Sequence, residues 1–227
     1  MIGTVCSRRH RFALFLFLIA VHIQSLDLEH GIEGDFWVEL EPVIGSTTEY
    51  PLSLGTASRI ALEEAQHVFS AMVYGFAFVY TPYDSARQVD EIFTLELHAE
   101  IPWADEGLRV SQTQIKKSLF KVLIRYFPSG HQVRWMRMMG SNIYHSAQGR
   151  GRGNLFKGAD QKLTAIDEAI KDGIRNYLRP RILNKPKEVR GSVVLDRVPY
   201  IVIDEGQYVA SVSIKIDVDE IIPYRVY

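Results

Sequence analysis

Residues 146–161, SAQGRGRGNLFKGADQ, gather the residue types that hold anions. Gly149, Gly151 and Gly153 permit backbone angles that turn successive N–H groups inward, the geometry of an anion-binding nest. Arg150 and Arg152 supply planar forks that grip a phosphate or carboxylate through two parallel hydrogen bonds, and Lys157 adds a third cation. A helix starting near Asp160 would point the positive end of its dipole at the same place, although Asp160 itself already occupies that end. The same alternation of Gly and Arg is also the composition of an exposed, flexible loop. Trp135, Tyr144 and Phe156 flank the segment and have the flat faces on which a sugar or a base stacks.

Little else in the chain has the pattern of a reaction centre. There is no Gly-x-Ser-x-Gly elbow, no Walker loop and no His-Glu-x-x-His, and Cys6 is the only cysteine. No two of His30, His67, His98, His131 and His145 share metal-ligand spacing; His98, near Glu96 and Glu100, reads as a solvated surface histidine. Asp217, Asp219 and Glu220 lack the glycine and the twelve-residue frame of a calcium loop. Glu63 with Glu64, and Asp204 with Glu205, read as a solvated helix face and a turn. No metal or cofactor is expected.

These residues need a scaffold, and hydrophobic periodicity outlines one. Residues 36–42 alternate as a strand. Residues 54–72 carry Ala61, Ala65, Val68, Phe69 and Met72 at helical spacing, with Thr56 or Ser58 as the cap. Residues 73–80 form a buried strand, and residues 91–103 a strand with one wet face. Residues 111–127 read as a helix with a capping box at Ser111 and Gln114, and residues 131–140 as a returning strand. A helix over 159–180 carries Leu163, Ile166, Ile170, Ile174 and Tyr177 as its stripe and ends before Pro180. Three strands follow, the last two joined by a hairpin turn at Asp204, Glu205 and Gly206. The expected class is α+β: three amphipathic helices on a mostly antiparallel sheet. The echo of ALEEA (61–65) in AIDEA (165–169) raises the reading of two related helix–hairpin units. An eight-stranded outer-membrane barrel is the rival for an exported chain of this size; three amphipathic helices argue against it.

Charge divides the chain sharply. The net charge is only −1, yet residues 26–108 hold sixteen acidic and two basic side chains, residues 109–159 hold ten basic and no acidic ones, and residues 160–227 hold eleven of each. The basic block either neutralises the acidic first part or presents a positive face to an anionic partner.

Arg8, Arg9, His10 and Arg11 precede a twelve-residue run, apolar but for His22, that is shorter than a membrane span. That is the pattern of a secretory signal over 1–25, cut near Ser25, leaving a single α+β domain over 26–227 with a subdivision near 109–159. The mature chain has no cysteine and no further span, which favours a bacterial periplasmic or secreted protein over a disulfide-bonded eukaryotic one. Export removes nucleic acid as the default partner of the basic block. An anionic envelope component or an acidic protein surface takes its place, gripped by Arg150, Arg152 and Lys157 with Gly149, Gly151 and Gly153. The expected role is binding or scaffolding; the alternative is an envelope hydrolase using carboxylates of the acidic first half.

Overall fold

A computed structural model describes residues 31–41, 50–141, 143–182 and 184–224. The leader with its cut site, Cys6 and His30 lie outside the described residues. Three α-helices and nine strands are present among the described residues, and every strand pairing is antiparallel, which makes the class α+β.

The strand β1 (Ile32–Glu39) alternates as its sequence dictates: Ile32, Gly34, Phe36 and Val38 are buried, while Glu33 and Asp35 are exposed. The helix α1 (Leu54–Val73) starts at Ser53, whose hydroxyl accepts from the Thr56 amide at 3.1 Å; the cap therefore lies ahead of the expected Thr56 or Ser58. Its buried Ala57, Ala61 and Ala65 let strands of two sheets approach closely. Hairpin strands β2 (Phe76–Thr81) and β3 (Ile92–Leu97) follow.

The expected helix over 111–127 is instead a β-hairpin of β4 (Leu108–Lys116) and β5 (Leu119–Tyr126), joined by a two-residue turn with Lys117 at φ 58°. Burial follows period two: Phe120, Val122, Ile124 and Tyr126 go inward. The run is apolar enough on both sides to satisfy either period, and pairing with β1 decides for the strand. The expected strand over 131–140 is instead helix α2 (Gly130–Met139), opened by a Ser129–Gln132 capping box. Gln132 also donates from Nε2 to the Tyr74 hydroxyl at 2.6 Å, tying α2 to the end of α1.

The strand β6 (His145–Asn154) leads to helix α3 (Gln161–Leu178), then β7 (Glu188–Leu195), β8 (Tyr200–Asp204) and β9 (Gln207–Ile222). Asp160 takes the N-cap position without a side-chain capping bond. The Asp204–Gln207 turn forms as expected, with Glu205 and Gly206 both at positive φ.

One sheet has the order β1-β5-β4. The other runs β3-β2-β7-β9-β6, with β8 also on β9. In the larger sheet α1 precedes β2 and α3 precedes β7, and these two strands pair at the centre. The helix α3 covers β6 and β9, while α1 packs against β1 and β5 of the small sheet and β7 of the large one. One core of apolar side chains joins these elements. The outer strand β4 is the exception: no residue of it is buried, and its far edge has no partner strand among the described residues.

Candidate functional site

The glycine–arginine segment is a strand for most of its length, and its glycines serve packing. Gly149, Gly151 and Gly153 are buried beneath α3, all in extended backbone. A Cβ on Gly151 would lie 2.2 Å from both the Ala165 carbonyl oxygen and the Ala169 amide, and one on Gly149 would lie 2.0 Å from the Ala169 carbonyl oxygen. The backbone of β6 is also committed. One edge pairs with β9. On the other, the Arg150 amide donates to Asp172 Oδ2 at 3.0 Å, and the Gln148 carbonyl accepts from Asn176 Nδ2 at 3.2 Å. The expected loop and its nest of amides are therefore corrected. Period-two alternation over 145–154 puts the glycines on the helix-facing side and the arginines in solvent.

Those arginines meet the β8–β9 turn. Arg150 Nη2 lies 3.9 Å from Asp204 Oδ2, and Arg152 Nη1 lies 3.7 Å from Glu205 Oε2 and donates to Gln207 Oε1 at 3.0 Å. Lys157, in the short 3-10 turn Leu155–Lys157, has no ion-pair partner among the described residues. Asp217, Asp219 and Glu220 lie on β9.

Within 109–159 the third matched cation is Arg125, which donates to Glu33 across the small sheet. The other seven, Arg109, Lys116, Lys117, Lys121, Arg134, Arg137 and Lys157, make no ion pair among the described residues. Four of them, Arg109, Lys116, Lys117 and Lys121, stand on the β4–β5 hairpin. Internal neutralisation thus accounts for the smaller part of the basic block.

Two recesses on the surface of the described residues stand near these elements. The larger, of 740 Å³, lies between α2, the ends of α1 and β1, and the β7–β8 connection. Met72, Met136 and Met139 line it with Ile32, Val194 and Leu195, and Arg137, Arg197 and Lys215 also border it. The smaller, of 510 Å³, lies between β1 and β8 and includes Glu33, Asp35, Trp37, Glu64, Lys121 and Tyr200.

Below the smaller recess the fold buries a charged pair. Lys162 on α3 is fully buried and its Nζ sits 3.2 Å from Glu64 Oε2 on α1. The same ammonium donates to the Trp37 carbonyl and lies 3.8 Å from the centroid of the Trp37 ring. Burial pushes the Glu64 carboxyl above its ordinary range, with Lys162 pulling the other way. Alongside, the Tyr208 hydroxyl donates to Glu39 at 3.1 Å, and burial followed by the Glu39 charge raises the phenol. Glu64 is thus no solvated helix residue. Of the three carboxylates in this recess, Glu33 is held by Arg125 and Glu64 by Lys162.

The helices meet a second time at His67 and Asp167, whose Nε2 and Oδ1 lie 4.0 Å apart without a hydrogen bond. Half of the Asp167 side chain is in solvent, yet its Oδ1 is shut away, and burial with the nearby Glu168 pushes the carboxyl up to about 6. Burial lowers His67, against Glu100. A carboxyl raised on folding stabilises at low pH and loses that contribution as pH rises through its folded value. Asp167→Asn is therefore expected to add about 1 kcal/mol at pH 8, a figure discounted for the exposed half of the side chain. Below pH 4 it should add nothing. Thermal unfolding at the two pH values checks this, and an equal effect at both would remove the confined carboxylate as its cause.

Among the described residues no group of three or more His, Cys, Asp or Glu side chains is placed to hold a metal ion, and no helix is long and apolar enough to cross a membrane.

Fold and site together define an α+β protein with two antiparallel sheets, a largely unneutralised basic segment and an apolar recess with a cationic border. The chain belongs to a protein family whose model matches residues 21–224. An uncharacterized protein of Treponema pallidum (strain Nichols) is 30% identical over 192 residues, 84% of this chain and 81% of that protein. No solved structure matches the chain.

Proposed function

We propose that the chain is an exported protein of the bacterial envelope, released from its leader near Ser25, and that it works by binding rather than catalysis. Its contact region is the carboxylate-free segment 109–159, and its partner is an anionic envelope component or an acidic protein surface. The observation that carries this reading is the set of seven cations without an ion pair among the described residues, four of them on a hairpin whose outer strand has no buried residue. Clustered unpaired charge speeds the encounter with an opposite surface. Arg150 and Arg152 are the weaker part of the region, because Asp204 and Glu205 already screen them; Lys157 beside them has no such partner.

Retention of the mature protein on isolated envelope fractions tests it. Replacing Lys116, Lys117 and Lys121 by serine is expected to lower retention roughly tenfold at low salt and to flatten its salt dependence. Replacing Arg150, Arg152 and Lys157 should have a smaller effect. Undiminished retention in both triple variants would remove the basic segment as the contact.

A further inference from the structure

We propose that the 740 Å³ recess between α2 and the β7–β8 connection is a binding site for a long-chain fatty-acid anion, which lays its alkyl chain on the methionines and meets Arg137, Arg197 and Lys215 with its carboxylate. This site goes beyond the contact of the basic hairpin: it shares Arg137 with the segment 109–159 but none of the hairpin lysines.

The volume falls in the range of roughly 300–1,000 Å³ in which proteins hold small molecules. The lining is apolar along its depth: Met72 comes from α1, Met136 and Met139 from α2, Ile32 from β1, and Val194 and Leu195 from β7. Methionine has three rotatable bonds and a polarizable sulfur, so it conforms to a flexible chain better than branched side chains do. In the whole sequence there are five methionines, and three of them stand on α2.

The border supplies the head-group chemistry. Arg137, Arg197 and Lys215 come from three separate elements and converge on one recess, and none has an ion-pair partner among the described residues. The acidic residues that share the lining only partly offset them. Glu33 is taken by Arg125, while Asp196, which accepts the Ser213 hydroxyl at 3.4 Å, keeps its charge, so three cations stand against one carboxylate without an ion pair among the described residues. The balance favours an anion, and two arginines offer the forked geometry that a carboxylate matches.

The outward side of α2 fits the delivery of such a ligand. Trp135 and Met138 are substantially exposed there, and Ile143 just beyond the helix is 83% exposed. Exposed tryptophan and methionine beside arginine are the side chains that settle at a lipid–water boundary, where a fatty acid is met.

Fluorescence of cis-parinaric acid titrated with the mature protein tests the site. Saturable binding of one probe per chain is expected, with displacement by palmitate and displacement by the neutral hexadecanol at least tenfold weaker. The Arg137→Ser, Arg197→Ser, Lys215→Ser variant should weaken palmitate about tenfold without changing the circular dichroism. Met136→Trp, which fills the recess, should abolish binding in a protein that still unfolds cooperatively. Absence of saturable binding overturns the proposal. So does hexadecanol binding as well as palmitate, a triple variant that binds like the parent, or a folded Met136→Trp protein that keeps full affinity. None of these outcomes depends on the hairpin lysines, so a failure here is distinct from a failure of envelope retention.

Discussion

Replacing Gly151 by alanine is expected to destabilise the protein by about 3 kcal/mol or more, an unusually large effect for the addition of one methyl group. The reason is backbone meeting backbone. The helix α3 lies so close to β6 that the new Cβ would stand 2.2 Å from Ala165 O and 2.2 Å from Ala169 N, and neither is the end of a side chain that could swing aside. Relief requires moving the helix, and the helix is fixed elsewhere. Arg175 Nε donates to Glu91 at 2.8 Å on the far side, Asp172 accepts the Arg150 amide, and Ile166, Ile170 and Ile174 are fully buried. Gly149→Ala should behave alike, because its Cβ would lie 2.0 Å from Ala169 O. Arg150→Ser and Arg152→Ser, one residue away on the opposite face, should stay within about 0.5 kcal/mol of the parent, since exposed ion pairs contribute little. Urea unfolding of the purified protein measures both. A flexible loop would tolerate all four substitutions equally, so equal midpoints would sink the close approach of strand and helix.

The glycines also show where sequence reasoning reached its limit. Gly, Gln, Ser and Asn over 146–154 carry no apolar alternation, because the side that faces the core is occupied by hydrogen atoms. A strand whose inner face is glycine looks like a loop until its covering helix is known. The hairpin β4–β5 failed for the opposite reason: Leu119, Phe120, Val122, Leu123 and Ile124 satisfy both periods, and only a distant strand, β1, resolves them. The start of α2 is legible in the sequence, since Ser129 and Gln132 form a capping box of the same spacing as Ser111 and Gln114, which lie on β4. By contrast, α1, α3, β3 and the β8–β9 hairpin were readable locally. Each has a one-sided stripe or a turn residue whose conformation is fixed by its own chemistry. Of the recess, Met136 and Met139 stand close together in the sequence. Their pairing with Arg197 and Lys215 depends on three-dimensional convergence and has no local signature.

One further signal was present in the sequence. Lys162 stands four residues before Ile166, which stands four before Ile170, so a lysine occupies the first place of an apolar stripe. Glu64 does the same between Ala61 and Val68. A charge on a buried stripe requires a partner, and here each is the partner of the other.

That pairing fixes the second large effect. Lys162→Met is expected to cost about 3–5 kcal/mol, lowering the thermal midpoint by roughly 10 °C, because it leaves Glu64 buried and without its cation. The Trp37 carbonyl also loses a donor, which contributes to the loss. The pH dependence identifies the cause. Without Lys162 the Glu64 carboxyl, already raised by burial, rises further. A carboxyl whose folded value exceeds its unfolded one withdraws stability as pH increases through that value, so the deficit of the single variant should be larger at pH 8 than at pH 5. Adding Glu64→Met should recover most of the loss and abolish its pH dependence, since an apolar pair of similar volume can replace a buried ion pair at little cost. Unfolding of the two variants across that pH range measures this. A double variant no more stable than Lys162→Met, with the same pH profile, would show that the lysine acts through packing on Trp37 and Tyr208 rather than through its charge.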